Sequence, residues 1–150
     1  MKQQSGFTLL EVLVAAVIVI VLTAVGVTSY SAVTQKSRDA RRTSDLEQVR
    51  SALEMYRSDN GYYPNAGNGN WTNISSLSAG GLVPSFMQSI PADPRDTTNY
   101  YQYKATNVSG GNYYGYCLTA KFETLSVATN NCSPTTTLPN SNYNYGLRNP

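Results

Sequence analysis

Residues Phe7 to Val27 read FTLLEVLVAAVIVIVLTAVGV, an apolar run of membrane length with one carboxylate, Glu11, near its head. From Val12 to Val27 every residue is apolar, Ala or Gly except Thr23. A helix needs about 20 mostly apolar residues to cross a bilayer, so the stretch predicts a spanning helix. A secretory signal peptide shares the basic start, here Lys2, and an apolar stretch ending in small residues. The length of the run and the place of its charge weigh against that alternative, because a removable signal gains nothing from a carboxylate. A charge inside a spanning segment costs about 2.5 to 3.5 kcal/mol at the helix centre, less near an end, and marks function or a partner. Glu11 therefore asks for a cation.

The helical pattern continues past the apolar run. From Ser31 to Arg57 there is no Pro or Gly, and Leu46, Val49, Leu53 and Tyr56 recur at the three-then-four spacing of one helical face. Charges fill the other faces, with Arg41 and Asp45, and Arg50 and Glu54, four apart, and Glu47 and Arg50, and Glu54 and Arg57, three apart. Phe7 to about Ser58 reads as one helix roughly 75 Å long. Its first half is apolar all round and its second half carries a single stripe. Such a helix packs against a domain on one side in its second half, and is bare in its first until lipid or sister helices surround it.

Asn60-Gly61 followed by Pro64 ends the helix. Asn65 to Asn73 is a polar loop, Ile74 to Leu82 has room for a short helix, and Pro84 to Pro94, with SIPADPRD, reads as extended and turn-rich. Tyr100 to Thr106 and Tyr113 to Glu123 are strand-like, joined through Val108 to Asn112 as a hairpin, with Leu125 to Ala128 as a third short strand. The fold class is α+β: a long N-terminal helix laid on a small antiparallel sheet. The tail from Ser133 to Pro150 reads as loosely ordered and exposed.

Cys117 and Cys132 are the only cysteines, with 14 residues between them. An even count in a small Tyr-rich domain suggests a disulfide formed outside the cytoplasm, with two unrelated buried thiols as the alternative. Closing such a loop contributes about 3 kcal/mol in the chain-entropy model. Without His or further Cys the pair is a poor metal site, and no metal or cofactor is expected. Catalysis has no foothold either: a Ser or Cys nucleophile lacks its usual base, and Asp93 and Asp96 read as turn-stapling residues. The net charge of +2 gives no strong footprint for nucleic acid.

A short basic leader ending in Gly6, then Phe7, Thr8, Leu9, Leu10 and Glu11 before an uninterrupted apolar helix, resembles the N-terminal signature of type IV pilins and type II secretion pseudopilins. The resemblance implies that a membrane aspartyl prepilin peptidase cuts between Gly6 and Phe7 and methylates the new N-terminus at Phe7. Cleavage then supplies the cation. The Phe7 amine, ordinarily of pKa about 7.7 to 8.0, would pair with Glu11 of a neighbouring subunit, and an unpaired buried charge would penalise wrong register. The helix end Tyr56 to Pro64 and the Pro91 to Pro94 segment are similar to major pseudopilins. Those close with an acidic Ca²⁺-binding loop, whereas this chain has no Asp or Glu after Glu123, so a calcium site is not expected. The Cys117 to Cys132 loop instead resembles the C-terminal disulfide region of true pilins.

The implied organisation is a leader at 1–6, a transmembrane and filament-core helix at 7–33, an amphipathic continuation at 34–58 and a globular head at 59–150. Lys36, Arg38, Arg41 and Arg42 outnumber Lys2, which by the positive-inside rule alone would leave the head in the cytoplasm. The peptidase's cytoplasmic location and the cysteines argue for a single pass of the cytoplasmic membrane with the head outside. The expected function is a structural subunit, not an enzyme, that self-associates into a helical filament on a pilus or secretion assembly platform. Two alternatives stand beside it: a DNA-binding competence pilin, for which Lys104, Lys121 and the Arg38, Arg41, Arg42 group would be the nucleic-acid contacts, and a plain single-pass surface protein.

Overall fold

A computed structural model describes residues 6–95, 101–125, 129–132, 136–139 and 143–149, without the side chains of Thr28, Ser29 and Asn130. The chain divides into two compact units, Met1–Lys36 and Ser37–Pro150. One helix, α1, runs Leu9–Asn60 through both.

The start of α1 is capped by its own sequence. Thr8 Oγ1 accepts from Glu11 N at 3.3 Å while Glu11 Oε2 accepts from Thr8 N at 2.9 Å, a reciprocal capping box that satisfies two donors a helix start leaves orphaned. Within the apolar run Thr23 turns its hydroxyl onto the Val19 carbonyl at 2.7 Å, so it presents no unpaired polar group. The backbone stays helical through Gly26. At the far end Gly61, at φ +82°, donates to the Arg57 carbonyl at 2.7 Å, the left-handed stop expected of Asn60-Gly61.

In the second unit the predicted stripe is the core face: Leu46, Val49 and Leu53 are fully buried, joined by Ala52. Tyr56 closes the stripe half-buried, edge-on to Phe86 at 5.4 Å between ring centroids. These side chains meet a five-stranded sheet of order β1-β2-β3-β5-β4. Its strands are β1 Thr72–Asn73, β2 Gln102–Ser109, β3 Asn112–Ala120, β4 Thr129–Asn130 and β5 Tyr145–Arg148. Every pairing is antiparallel except β4 with β5. Pleating puts Tyr103, Ala105, Tyr116 and Leu118 on the core side, with Tyr103 opposite Leu118 and Ala105 opposite Tyr116. A four-residue helix, α2 Ser76–Ala79, lies where a short helix was expected and buries Leu77.

Three expectations need correction. The hairpin turn is shorter than Val108 to Asn112: Gly110 and Gly111 both take positive φ, so the ladder continues to the pair Ser109 and Asn112. The third strand is not at Leu125, which lies in no strand, and Ser126 to Ala128 fall outside the described residues, as does Tyr100 of the first predicted strand. The tail is not loose throughout: Tyr145–Arg148 forms β5 on the edge of β3, with Leu118 opposite Leu147, and Tyr143 is buried. The physical reason is an exposed ladder edge on β3 and a segment able to fill it, since Tyr143, Tyr145 and Leu147 recur at the strand period of two.

Candidate functional site

The first unit carries the processing motif. Gly6 and Phe7 are exposed, with nothing within 4 Å of the space a Cβ on Gly6 would occupy. Phe7 is 89 % exposed. Met1 to Ser5, the rest of the expected leader, lie outside the described residues. Glu11 Oε2 also accepts from the Thr8 hydroxyl at 2.9 Å, so the carboxylate is held at the head of the helix by its own chain. Around and beyond it, from Leu9 to Val27, the large apolar side chains are exposed, from 48 % at Val14 to 82 % at Leu9. Helix α1 is the one helix among the described residues long and apolar enough to cross a membrane.

The second unit carries a charged clasp that the sequence pattern did not reveal. Arg42 donates from Nε and Nη2 to the two oxygens of Asp93, at 2.7 and 2.9 Å, and from Nη1 to Asp39 at 2.8 Å and Glu123 at 3.0 Å. Arg38 grips both oxygens of Glu123, at 2.7 and 2.6 Å, and Arg95 adds a bond of 2.8 Å. Three guanidinium groups thus face three carboxylates, with the Arg42 and Asp93 side chains almost wholly buried. Arg42 with Asp93 and Arg38 with Glu123 are bidentate forks, and Asp39 is met by Arg42 and by the N–H groups of Glu123 and Thr124, so the buried charges are compensated. The Arg38 bonds, with those of Arg42 and Arg95, outweigh burial and push the Glu123 carboxyl down to about 2. Burial opposes the charge on Arg42, but its bonds to Asp93, Glu123 and Asp39 raise its pKa further. Burial likewise opposes the Asp39 charge, and bonds from Thr124, the backbone at Glu123 and Arg42 overcome it and lower its pKa.

The clasp changes several sequence expectations. Of the four helical ion pairs only Glu47 with Arg50 forms, at 3.3 Å. Asp45 instead accepts the Tyr101 hydroxyl at 2.8 Å, and Glu54 accepts those of Tyr63 and Tyr116, each at 3.0 Å. The helical acids thus turn toward the sheet, where burial first and the neighbouring carboxylates second push the Tyr101 and Tyr116 hydroxyls up. Asp93 does staple its turn, accepting from Arg95 N at 2.9 Å, while Asp96 lies outside the described residues. The Arg38, Arg41, Arg42 group is no open platform for nucleic acid, because Arg38 and Arg42 are engaged by carboxylates and Arg41 alone stands exposed. Lys104 sits 5.9 Å over the Trp71 ring. Cys117 and Cys132 are joined in a disulfide with their Cα atoms 5.6 Å apart. Among the described residues no group of three or more His, Cys, Asp or Glu is placed to hold a metal ion.

A capped processing motif, an exposed apolar helix, and a small α+β head built on the striped part of the same helix define a pilin-like subunit. Compared with known families, residues 1–27 match the prokaryotic N-terminal methylation motif. Residues 30–118 match type II secretion system (T2SS), protein G, and the chain belongs to that family. It is 32 % identical over 97 residues to type II secretion system core protein G of Escherichia coli strain K12, covering 61 % of this chain and 67 % of that one. It is 30 % identical over 115 residues to the core protein G of Pseudomonas aeruginosa, covering 73 % and 79 %. The core protein G of Pectobacterium carotovorum is 39 % identical over 91 residues, covering 61 % and 56 %. No solved structure matches the chain. Membership of this family makes the chain a structural subunit of the pseudopilin kind rather than an enzyme.

Proposed function

We propose that the chain is a prepilin processed at its N-terminus and assembled, through the apolar half of α1, into the pseudopilus of a type II secretion system. A prepilin peptidase cuts between Gly6 and Phe7 and methylates Phe7. The helix 7–33 anchors the subunit in the cytoplasmic membrane and later lines the filament core, 34–58 carries the stripe, and 59–150 forms the head outside the cytoplasm. The disulfide favours that side, since such bonds persist in oxidising compartments. The partners are then the peptidase, the secretion assembly platform and further copies of the chain.

One observation carries this reading: Glu11 is the only ionised side chain in an exposed apolar band, and it stands four residues from the amine that cleavage would create. Mass spectrometry of the mature protein tests the processing, with an N-methylated Phe7 expected and an intact Met1 rejecting it. Glu11→Ala is expected to leave the chain cleaved and membrane-inserted but unassembled, by cross-linking of subunits in the membrane. Normal filaments from that variant would remove the assembly role of the carboxylate.

A further inference from the structure

Asn144 directs every polar group it has at one neighbourhood. Its backbone N–H donates to the Ala120 carbonyl at 3.3 Å and its carbonyl accepts from Thr129 N at 2.8 Å. Its side-chain oxygen accepts from Phe122 N at 2.6 Å, and its amide nitrogen donates to the carbonyls of Phe122 and Leu125 at 2.8 and 2.9 Å. From the helix, Asp39 accepts the backbone N–H groups of Glu123 and Thr124, each at 2.9 Å, and the Thr124 hydroxyl at 2.7 Å. Two side chains therefore meet the N–H groups of Phe122, Glu123 and Thr124 and the carbonyls of Phe122 and Leu125 in the irregular loop 122–125, partners that partly buried backbone demands.

A divalent cation would organise such a loop with the opposite polarity, by gathering carbonyl and carboxylate oxygens around itself. Here the carbonyls of Phe122 and Leu125 are already met by amide N–H groups. The one carboxylate of the loop, Glu123, is held by three arginines, and no Asp or Glu follows it in the chain. The residues present do not fit the acidic calcium loop with which the pseudopilins this chain resembles close. We propose that the Asn144 amide and the Asp39 carboxylate organise the 122–125 loop in place of a divalent cation, so that the folded head does not depend on calcium. Strand β5 begins at the next residue, Tyr145, so the same amide sets the strand against β3.

The test is made on the full chain in detergent micelles, by hydrogen exchange of the Tyr145–Arg148 amides and by thermal unfolding, and it is independent of filament assembly. Wild-type protein in EGTA and in excess calcium chloride is expected to show the same protection. A cation present at a hundred times its dissociation constant would suppress opening about a hundredfold. Protection that rises with calcium by anything near that factor overturns the proposal. Asn144→Asp, nearly isosteric but lacking the amide donors, is expected to speed exchange of the β5 amides about tenfold, the effect of losing roughly 1.4 kcal/mol of hydrogen bonding. Unchanged exchange in this variant would also overturn it.

Discussion

Between Leu9 and Val27 helix α1 exposes its large apolar side chains, Leu13 at 55 % and Ile18 at 52 %, whereas between Leu46 and Leu53 the same helix hides Leu46, Val49 and Leu53 completely. Both stretches are helical for local reasons of hydrogen bonding, but only the second is held by tertiary contacts. The first is apolar on all faces and waits for an apolar surrounding; the second is apolar on one stripe and already has it. What fastens the second half is also different in kind. Its stripe contributes non-directional burial, while Arg38, Asp39 and Arg42 fix how the helix lies against the loops at Asp93 and Glu123.

The sharpest way to break the comparison is through Arg42. Arg42→Met would leave Asp39 and Asp93 buried without their shared cation, and breaking a buried pair in this way costs about 3 to 5 kcal/mol. Urea unfolding of the head, followed by tyrosine fluorescence, should show that loss. Arg41→Met, one position earlier and exposed, should change stability by less than about 0.5 kcal/mol. Equal effects would mean that the clasp does not fasten the helix.

Next in size is a truncation in each half. Leu53→Ala removes a fully buried side chain and should cost the head about 2 to 5 kcal/mol in the same unfolding measurement. Val17→Ala, in the exposed half, should leave the head's midpoint where it was. A matched shift from Val17→Ala would show that the two halves unfold as one.

These two variants mark what could be read in advance. The stripe was legible because Leu46, Val49, Leu53 and Tyr56 keep a helical period, and the processing motif because Gly6, Phe7 and Glu11 stand at fixed places before an apolar run. The two strands around Tyr103 and Tyr116 followed from aromatic and β-branched density. The clasp was not legible, because its members lie up to 85 positions apart and nothing local in Arg38 announces Glu123. On the helix those arginines and acids read as a solvated face. Strand β5 is obscured for another reason: Asn and Ser dominate its surroundings and suggest a loop, although Tyr143, Tyr145 and Leu147 keep an every-second-residue apolar pattern. The capping box rests on the three-residue spacing of Thr8 and Glu11, a local signal that the isolated charge of Glu11 at the head of an apolar run overshadows.

A smaller effect tests the clasp by pH. The Glu123 carboxyl is pushed from an ordinary 4.5 down to about 2, chiefly by Arg38. A carboxyl whose folded pKa is depressed contributes stability that is fully present above 4.5 and is lost as pH falls toward 2. Glu123→Gln should therefore cost about 1.5 to 3 kcal/mol at neutral pH, the usual value of a hydrogen bond to a charged group, and progressively less as the pH is lowered through that window. A difference between variant and wild type that persists unchanged to pH 2 would place the stabilisation in packing and not in charge.

The smallest expected effect separates two roles that meet at Glu11. Its carboxylate closes a capping box with Thr8, which would account for its position without any neighbour, and in the assembly proposed above it is also the anion for the amine of a docking subunit. Thr8→Ala removes the hydroxyl half of the box and should loosen the helix start by about 1 kcal/mol, seen as faster exchange of the Glu11 amide. The carboxylate remains, so subunit cross-linking in the membrane should stay near wild type. Glu11→Gln keeps an acceptor for Thr8 N but has no charge, and should fail to cross-link while preserving the cap. If Thr8→Ala abolishes cross-linking and Glu11→Gln does not, the carboxylate serves the helix rather than its neighbour, and the contrast between a self-sufficient second half and a first half completed by other copies would have to be redrawn.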